Sequence, residues 1–246
     1  MKILSVRGLA FLGLFALLAF VGLKINMFSI QGASGKAFTL FEFFGPMAGG
    51  FLGLAGVAAV GIAKITAAIA GGTAFTFIDL VKLTPMMFAA YYFWRNGSRG
   101  FSDKLGMAIP VLAMAAFWLH PIALQMVIIA IPWLGWVISL PAGIYSLFWT
   151  IPILVKFLPD RLFLRSLGAT FTAHAIGSVL FLYTIPNIPA LWIGLIPVVA
   201  VERTIFALGI TFSYLVFTNV LNAVDTAYGI SKDVTLEKRY VLQLQD

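Results

Sequence analysis

Residues 42–72 have the sequence EFFGPMAGGFLGLAGVAAVGIAKITAAIAGG, and the predicted fold rests on them. Small residues recur in this segment at four-residue steps, which gives each predicted helix one flat face. In lipid such faces let two helix backbones approach closely. The segment therefore predicts tightly packed membrane helices. Its small residues are Gly45, Gly49, Gly53, Ala55, Ala59, Ala63, Ala67 and Gly71.

The composition of the whole chain supports a membrane protein. Of its 246 residues 61% are hydrophobic and 10% are charged, and the mean hydropathy is +1.03. Several apolar runs approach the roughly 20 residues that a helix needs to cross a ~30 Å hydrocarbon layer. We expect an all-α fold, a polytopic integral membrane helix bundle with a single transmembrane domain over residues 1–230. A polar cytoplasmic tail over residues 231–246 is expected to follow it.

Basic residues in short loops predict the topology. The loops Arg95–Lys104 and Lys156–Arg165 are rich in Lys and Arg, as are the first residues of the chain, and such loops are typical of the cytoplasmic side. This predicts about eight spans, with a range of six to nine, and both termini in the cytoplasm. A broken segment, Ile185–Pro197, is expected to rest at the interface. The predicted spans are Gly8–Leu23, Phe38–Gly53, Ala55–Gly71, Thr76–Trp94, two kinked spans within Leu105–Phe157, Ser166–Tyr183 and Val198–Asp225.

The sequence lacks the motifs that are typical of several function classes. The net charge of +7 is scattered over short loops, which argues against nucleic-acid binding, and the absence of cysteine excludes disulfides and thiol chemistry. The sequence contains no H-E-x-x-H, G-x-S-x-G or P-loop motif. We therefore expect a protein that is not an enzyme and has no catalytic residues, no metal site and no cofactor.

Polar residues at four-residue steps mark candidate substrate-binding faces. Thr170, His174 and Ser178 share one face of a predicted helix, and a second such face is made by Tyr214, Thr218 and Asn222. Two polar faces predict a cavity between helices, which is where transporters hold substrates. Hydrogen bonding between helices is the structural alternative for both.

Glu42 and Lys64 are charged residues in apolar surroundings, so they are also candidate substrate-binding residues. A Lys in such a place needs an anion, which the sequence allows to be Glu42, Asp79 or a substrate carboxylate or phosphate. A structural ion pair is the alternative to a functional role.

Three neighbouring stretches resemble a known family. They are FEFFGPMAGGFLG (41–53), LAGVAAVGIAKITAAIAGG (54–72) and VKLTPMMFAAYYFWRNGSRGFSDKLG (81–106). This order of a GPxAG-like turn, a small-residue helix and a span ending in a basic loop resembles the S components of energy-coupling-factor vitamin transporters. The resemblance implies a substrate-capturing subunit partnered by a transmembrane coupling protein and two cytoplasmic ATPases. It also implies gating by the loop Lys24–Ala37 and contact with the coupling protein through Ala10, Gly13, Ala16 and Ala19.

These observations lead to one main hypothesis and two alternatives. The main one is a subunit in the cell membrane that captures a small polar or vitamin-like molecule and is energised by partner ATPases. The first alternative is a stand-alone proton-linked carrier or channel, with His174, Lys64 and Glu42 as its titratable relay. The second is a non-catalytic accessory subunit that binds no ligand.

Overall fold

The computed structural model describes residues 6–29, 37–72, 80–95, 103–229 and 234–242. Two antiparallel strand pairs are present, β1 (Asn26–Ser29) with β2 (Ala37–Thr39) and β3 (Met126–Ile131) with β4 (Trp136–Pro141). Turns of 3₁₀ helix cover Leu40–Phe43, Pro132–Leu134, Ala142–Trp149 and Lys238–Tyr240. The α-helices are α1 (Val6–Gly22), α2 (Met47–Leu52), α3 (Leu54–Ala70), α4 (Thr84–Arg95), α5 (Lys104–Leu119), α6 (Pro121–Leu124), α7 (Thr150–Val155), α8 (Leu162–Thr184) and α9 (Pro189–Tyr228).

Glycines allow α2 to lie directly against α3 and α4. Gly53 joins α2 to α3 with a φ of 60°, a backbone conformation that side chains with a Cβ atom rarely adopt. A Cβ atom on Gly49 would overlap the backbone carbonyl of Ala90 in α4. One on Gly56 would overlap the carbonyl of Ala48 in α2. The close backbone approach that the small residues predict is found at these two contacts.

The proline-rich middle of the chain contains a β-hairpin. β3 and β4 pair from Met126↔Pro141 to Ile131↔Trp136, and the turn between them ends at Gly135 with a φ of 63°. No charged residue occurs between Pro121 and Val155. Apart from Ser139, the side chains on both faces of the hairpin are apolar.

Helices α8 and α9 pack antiparallel and hold most of the cavity described below. Within the described ranges, α8 and Pro189–Ala227 of α9 are the two helices long and apolar enough to cross a membrane, with 23 and 39 residues. These two helices support association with a membrane. Proline at the first turn of α9 fits a helix start, and Pro197 lies inside the same continuous helix.

The prediction of an all-α bundle with about eight spans is wrong. Strands are present, and the other apolar helices in the described residues are too short, 17 residues in α3 and 16 in α5. The predicted span Phe38–Gly53 is divided among β2, a 3₁₀ turn and α2, which leaves only the six residues Met47–Leu52 as α-helix. The middle region forms a hairpin instead of two kinked spans, and Ile185–Pro197 enters α9 instead of resting as a broken segment. The predicted start of the fourth span, Thr76, lies outside the described residues.

Two hydrophobic clusters make up the core. The first surrounds α2, α3 and α4, where the ring of Phe51 stacks on Tyr214 with centroids 4.7 Å apart. The second lies between α5, the Ala142–Trp149 turn, α8 and the start of α9. Phe117 is central to it, with its ring 5.2 Å from Trp149 and 4.8 Å from Trp192. This second cluster fixes the side chains at one end of the cavity.

Candidate functional site

A cavity of about 330 Å³ lies between α8, the N-terminal part of α9 and the segment from β2 into the first 3₁₀ turn. Residues of α3 and of the start of α4 line another side. Sites for small molecules usually have volumes of roughly 300–1,000 Å³. The polar residues that line the cavity are Glu42, Lys64, Lys82, Tyr145, His174, Ser178, Thr184, Glu202 and Arg203.

Because α8 and α9 run antiparallel, the cavity has two chemically different ends. Arg203 of α9 contacts Thr170 of α8, and Trp192 contacts Phe181. Arg203 follows Trp192 by eleven positions, which in a helix corresponds to roughly 16 Å at 1.5 Å per residue. One end is therefore charged and the other aromatic, and His174 lies on α8 between them.

Arg203 is the buried cation of the charged end. Its side chain is 4% exposed, and its guanidinium donates to Glu202 at 3.1 Å and to the Thr170 hydroxyl at 3.4 Å. The rings of Phe38 and Phe206 lie 4.6 and 4.5 Å from the guanidinium carbon, close enough for cation–π attraction. Its Nε has no hydrogen-bond partner among the described residues. The guanidinium is therefore fixed in place, and its Nε–H has no acceptor among the described residues.

Glu42 and Lys64 meet at the same end of the cavity. The Lys64 Nζ lies 4.0 Å from a Glu42 carboxylate oxygen, and each side chain is 18% exposed. The 3₁₀ turn Leu40–Phe43 places Glu42, while α3 places Lys64 near its centre. At 4.0 Å this is a long ion pair, without the short contact of a charge-assisted hydrogen bond.

Tyr145, His174 and Ser178 form a polar group in the middle of the cavity. The Tyr145 hydroxyl lies 2.7 Å from Nε2 of His174, and the Ser178 hydroxyl lies 3.4 Å from the same nitrogen. Tyr145 is 1% exposed and its ring packs against Phe117 and Trp192. This packing orients the hydroxyl, so the tyrosine holds the imidazole in one position.

Trp192 dominates the aromatic end. Its side chain is 1% exposed, and its indole N–H donates to the Asn187 side chain at 2.7 Å. The ring also packs edge-on against Phe181 at 5.8 Å. With its one donor satisfied, the buried indole forms an apolar wall at this end of the cavity.

None of three comparisons, with protein-family models, with curated proteins and with solved structures, found a match for this chain. The resemblance to transporter S components therefore stays a prediction, and the site is interpreted from its own chemistry. Within the described residues no group of three or more His, Asp or Glu side chains is placed to hold a metal ion.

Four of the predicted substrate-binding residues line this one cavity. Glu42 and Lys64 do so from the first half of the chain, and His174 and Ser178 from α8. Thr170 lies behind them, buried, where its hydroxyl accepts from Arg203. The structure thus brings the α8 face together with the two charged residues of the first half.

The predicted face on α9 lies elsewhere. The Tyr214 hydroxyl donates to Glu237 at 2.9 Å, and Thr218 is fully buried with no partner for its hydroxyl in the described part of the chain. Asn222 is half-buried and its backbone carbonyl accepts from the Thr226 hydroxyl at 3.0 Å. Because α9 is 40 residues long, this face lies well beyond the part of α9 that lines the cavity.

The predicted partner face and gate are described in part. All four small residues, Ala10, Gly13, Ala16 and Ala19, lie on α1; Ala19 is fully buried within the chain itself, whereas Gly13 is exposed. Ala37, the last residue of the predicted gating loop, lines the cavity together with Phe38. Residues 30–36 of that loop, and Asp79 as the possible partner of Lys64, lie outside the described residues.

Sequence reasoning did not predict several residues of the site, among them Tyr145, Trp192, Glu202 and Arg203. It gave no site role to Tyr145, Glu202 or Arg203, and placed Trp192 in the interfacial segment Ile185–Pro197. A charged doublet inside an otherwise apolar helix was the signal that could have identified Glu202 and Arg203. Tyr145 gave no such signal, since its role depends on contacts with residues distant in the sequence.

A second group of buried charges lies at the junction of α4, α5 and α7. Lys156 donates to the Asp103 carboxylate at 2.8 Å, and the two side chains are 0% and 1% exposed. Asp103 also caps α5 by accepting from the Gly106 N–H at 2.9 Å. Burial lowers the pKa of the Lys156 ammonium, although its hydrogen bond to Asp103 raises it. The pair lies outside the cavity, and its hydrogen bonds connect the end of α4, the start of α5 and the end of α7.

Residues 234–242 pack back onto the helices through a third charged group. Arg165 pairs with Asp160 and with Glu237, and Arg239 pairs with the same two carboxylates. Burial raises the pKa values of Asp160 and Glu237, but the arginines outweigh it and hold both below their usual range. Val234 is 3% exposed, and the Thr235 N–H donates to the Phe51 carbonyl at 2.9 Å. These residues of the predicted tail are therefore part of the folded unit.

Proposed function

We propose that this chain is an integral membrane protein, anchored by α8 and α9, that binds a small polar or vitamin-like molecule in the cavity. The observation that carries the proposal is the convergence of Glu42, Lys64, His174 and Arg203 on one cavity. Ionisable side chains in a membrane-embedded region are costly, so their collection at a cavity favours a binding role over a purely structural one.

The arrangement suits reversible binding. Burial of Arg203 and the Tyr145–His174 contact fix two polar groups before a ligand arrives, which reduces the entropy lost on binding. Phe38 of β2 lines the cavity, so movement of the β1–β2 pair would open or cover it. We therefore assign the β1–β2 pair the gating role that the sequence predicted for the loop Lys24–Ala37.

The transport step is proposed from the sequence. The chain has no nucleotide-binding motif, so in the binding-subunit hypothesis the energy for uptake against a gradient would come from partners. The resemblance to S components supplies the expected partners, a transmembrane coupling protein and two cytoplasmic ATPases. These partners and the ligand can be sought in one preparation.

The direct test is native mass spectrometry of the chain after gentle purification from its own membrane. We expect a small molecule to co-purify and to be lost when His174→Gln is introduced. His120→Gln is the matched control, because His120 lies outside the cavity and contacts Tyr183 instead. ATPase partners in the same sample would support the transporter role. A chain with no bound molecule, and no thermal shift with any solute tried, would contradict the proposal.

A proton-linked carrier is the second candidate, and one observation favours it. The three residues of the predicted relay, Glu42, Lys64 and His174, line the same cavity. Purified chain in liposomes would then move protons with solute and without partners. We expect this flux to stop in His174→Gln and to continue in His120→Gln. Solute binding without any flux would exclude the carrier and leave the binding subunit.

A further inference from the structure

The β3–β4 hairpin exposes a continuous apolar surface. On its outer face Met126, Ile128 and Val137 are exposed, Ile128 to 74%. At its turn the rings of Trp133 and Trp136 are 84% and 62% exposed. Contiguous exposed apolar surface of this kind marks a place where a protein contacts a partner or a membrane.

The chemistry of this surface favours lipid over a protein partner. A protein interface surrounds its apolar centre with a polar, solvent-accessible rim. The segment from Pro121 to Val155 carries no charged residue for such a rim. Tryptophan is enriched where a membrane meets water, because its ring is apolar and its indole N–H needs an acceptor. The occupant that this surface fits is therefore the lipid bilayer.

The base of the hairpin is attached to the ends of the two long apolar helices. Near the end of α8, the ring of Tyr183 packs against His120 at 4.9 Å, and its hydroxyl donates to the Ala116 carbonyl at 2.8 Å. His120 immediately precedes α6, which leads into β3. Val127 of β3 packs against the second hydrophobic cluster, which contains Trp192 at the start of α9. The hairpin therefore begins beside the place where α8 ends and α9 begins.

The open edges of the hairpin limit how deep it can lie in a bilayer. Its sheet has two strands in the described part of the chain, so the outer edge of each strand carries backbone N–H and C=O groups without a partner strand. Sheet edges of this kind do not occur in contact with lipid tails. Each strand has six residues, about 20 Å at 3.3 Å per residue. This exceeds the ~15 Å half-thickness of the hydrocarbon layer, so a hairpin that points inward would carry its turn to the centre of the bilayer.

We infer that the β3–β4 hairpin lies along the membrane–water interface, with Trp133 and Trp136 at the level of the headgroups and its outer face on the upper part of the lipid chains. In this position the apolar side chains contact lipid while the strand edges stay near water. The inference rests on the anchoring of α8 and α9 in a membrane, which is part of the proposed function. It does not depend on whether the cavity binds a solute.

Spin labels at two positions of the hairpin test its depth. The chain has no cysteine, so Ile128→Cys and Leu134→Cys each give the full chain one labelling site. In phosphatidylcholine vesicles, the collision rates of each label with oxygen, which concentrates in hydrocarbon, and with a nickel chelate, which stays in water, report its depth. Leu208→Cys, exposed in the middle of α9, is the hydrocarbon reference, and Lys104→Cys, exposed at the start of α5, is the water reference. Both hairpin labels should lie between the references, roughly 5–10 Å below the headgroups, as apolar side chains of interfacial helices do.

Each other outcome overturns the inference in a different way. Hairpin labels as accessible to the nickel chelate as the label at Lys104 would show that the surface faces water. Labels as deep as the one at Leu208 would place the hairpin in the hydrocarbon, and protection from both reagents would show that a protein, such as a second copy of this chain, covers it.

Two controls separate the inference from the proposed function. If the label at Leu208 is itself in water, α9 does not span the membrane, and the inference fails together with the membrane part of the proposed function. Solute binding should be the same in the two hairpin variants as in the unchanged chain, because neither Ile128 nor Leu134 lines the cavity. A chain that binds no solute but carries its hairpin at the expected depth would contradict the binding role alone.

Discussion

Replacing one partner of the buried ion pair between Asp103 and Lys156 should lower the free energy of unfolding. Replacing both partners should lower it less. In Lys156→Met the carboxylate keeps two donors, the Gly106 N–H at 2.9 Å and the Tyr91 hydroxyl at 3.3 Å, but stays buried without its cation. Leaving such a charge uncompensated costs about 3 kcal/mol. A loss of that size lowers Tm by about 6–12 °C in a chain of this length.

Asp103→Leu should cost more. It leaves the Lys156 ammonium with the Arg95 carbonyl at 3.3 Å as its remaining acceptor, and it also removes the cap of α5. We expect about 4–6 kcal/mol, the buried-charge cost plus about 1 kcal/mol for the cap. The double variant buries no charge and loses mainly the cap, so its cost should be about 1–2 kcal/mol.

Thermal unfolding of the four proteins in one detergent measures this ranking. The exposed neighbour Lys104→Met is the control and should change the free energy of unfolding by less than about 0.5 kcal/mol. A double variant whose loss equals the sum of the two single losses would refute the reasoning, because it would show that the two side chains do not compensate each other's charge.

Three further predictions use the same measurement. Gly49→Ala should destabilise by about 2 kcal/mol or more, since its Cβ would overlap the Ala90 carbonyl, whereas Gly13→Ala, with nothing within 4 Å, should be neutral or slightly stabilising. The lowered pKa values of Asp160 and Glu237 mean that their stabilisation is present above about pH 4 and is lost as the pH falls below it; Glu237→Gln should reduce this acid sensitivity between pH 5 and 3. Thr218→Val should raise stability by about 1 kcal/mol and leave solute binding unchanged, because the Thr218 hydroxyl is buried without a partner in the described residues; loss of binding would instead return it to the site.

Local patterns with one physical cause were predictable from the sequence. Gly49 marks a close contact of helix backbones because only a residue without a Cβ atom fits there. Lys64 needs a nearby anion in apolar surroundings, and Glu42 lies 4.0 Å away. The first prediction depends on the steric cost of a Cβ atom and the second on the cost of an unpaired charge in apolar surroundings. Neither cost depends on the rest of the fold.

The number of spans was not predictable in this way. The uncharged run Met126–Pro141 has 16 residues, close to the roughly 20 of a membrane span. An apolar run by itself does not distinguish a strand from a helix. Its Ile and Val content suits β3 and β4. The break at Gly53, by contrast, lies where the sequence analysis ended one predicted span and began the next, and there the backbone has a φ of 60°.

Of the two predicted polar faces, the one on α8 contributes residues to the cavity and the one on α9 does not. A four-residue spacing places Thr170, His174 and Ser178 on one side of α8, and the same spacing places Tyr214 and Thr218 on one side of α9. The spacing shows that such residues share a face but not what the face contacts. The α8 face meets the start of α9 and Tyr145, where a cavity remains open.

The α9 face meets α2 and the C-terminal segment instead, where Phe51 and Glu237 fill the space. The Tyr214 hydroxyl is therefore bound within the fold and Thr218 is buried away from the cavity, while His174 and Ser178 of α8 line it. The two faces differ because the C-terminal segment folds back and brings Glu237 to Tyr214. The sequence of α9 alone does not show that this segment packs there. A polar face on a helix thus becomes a candidate site only where the packing of the chain leaves a cavity beside it.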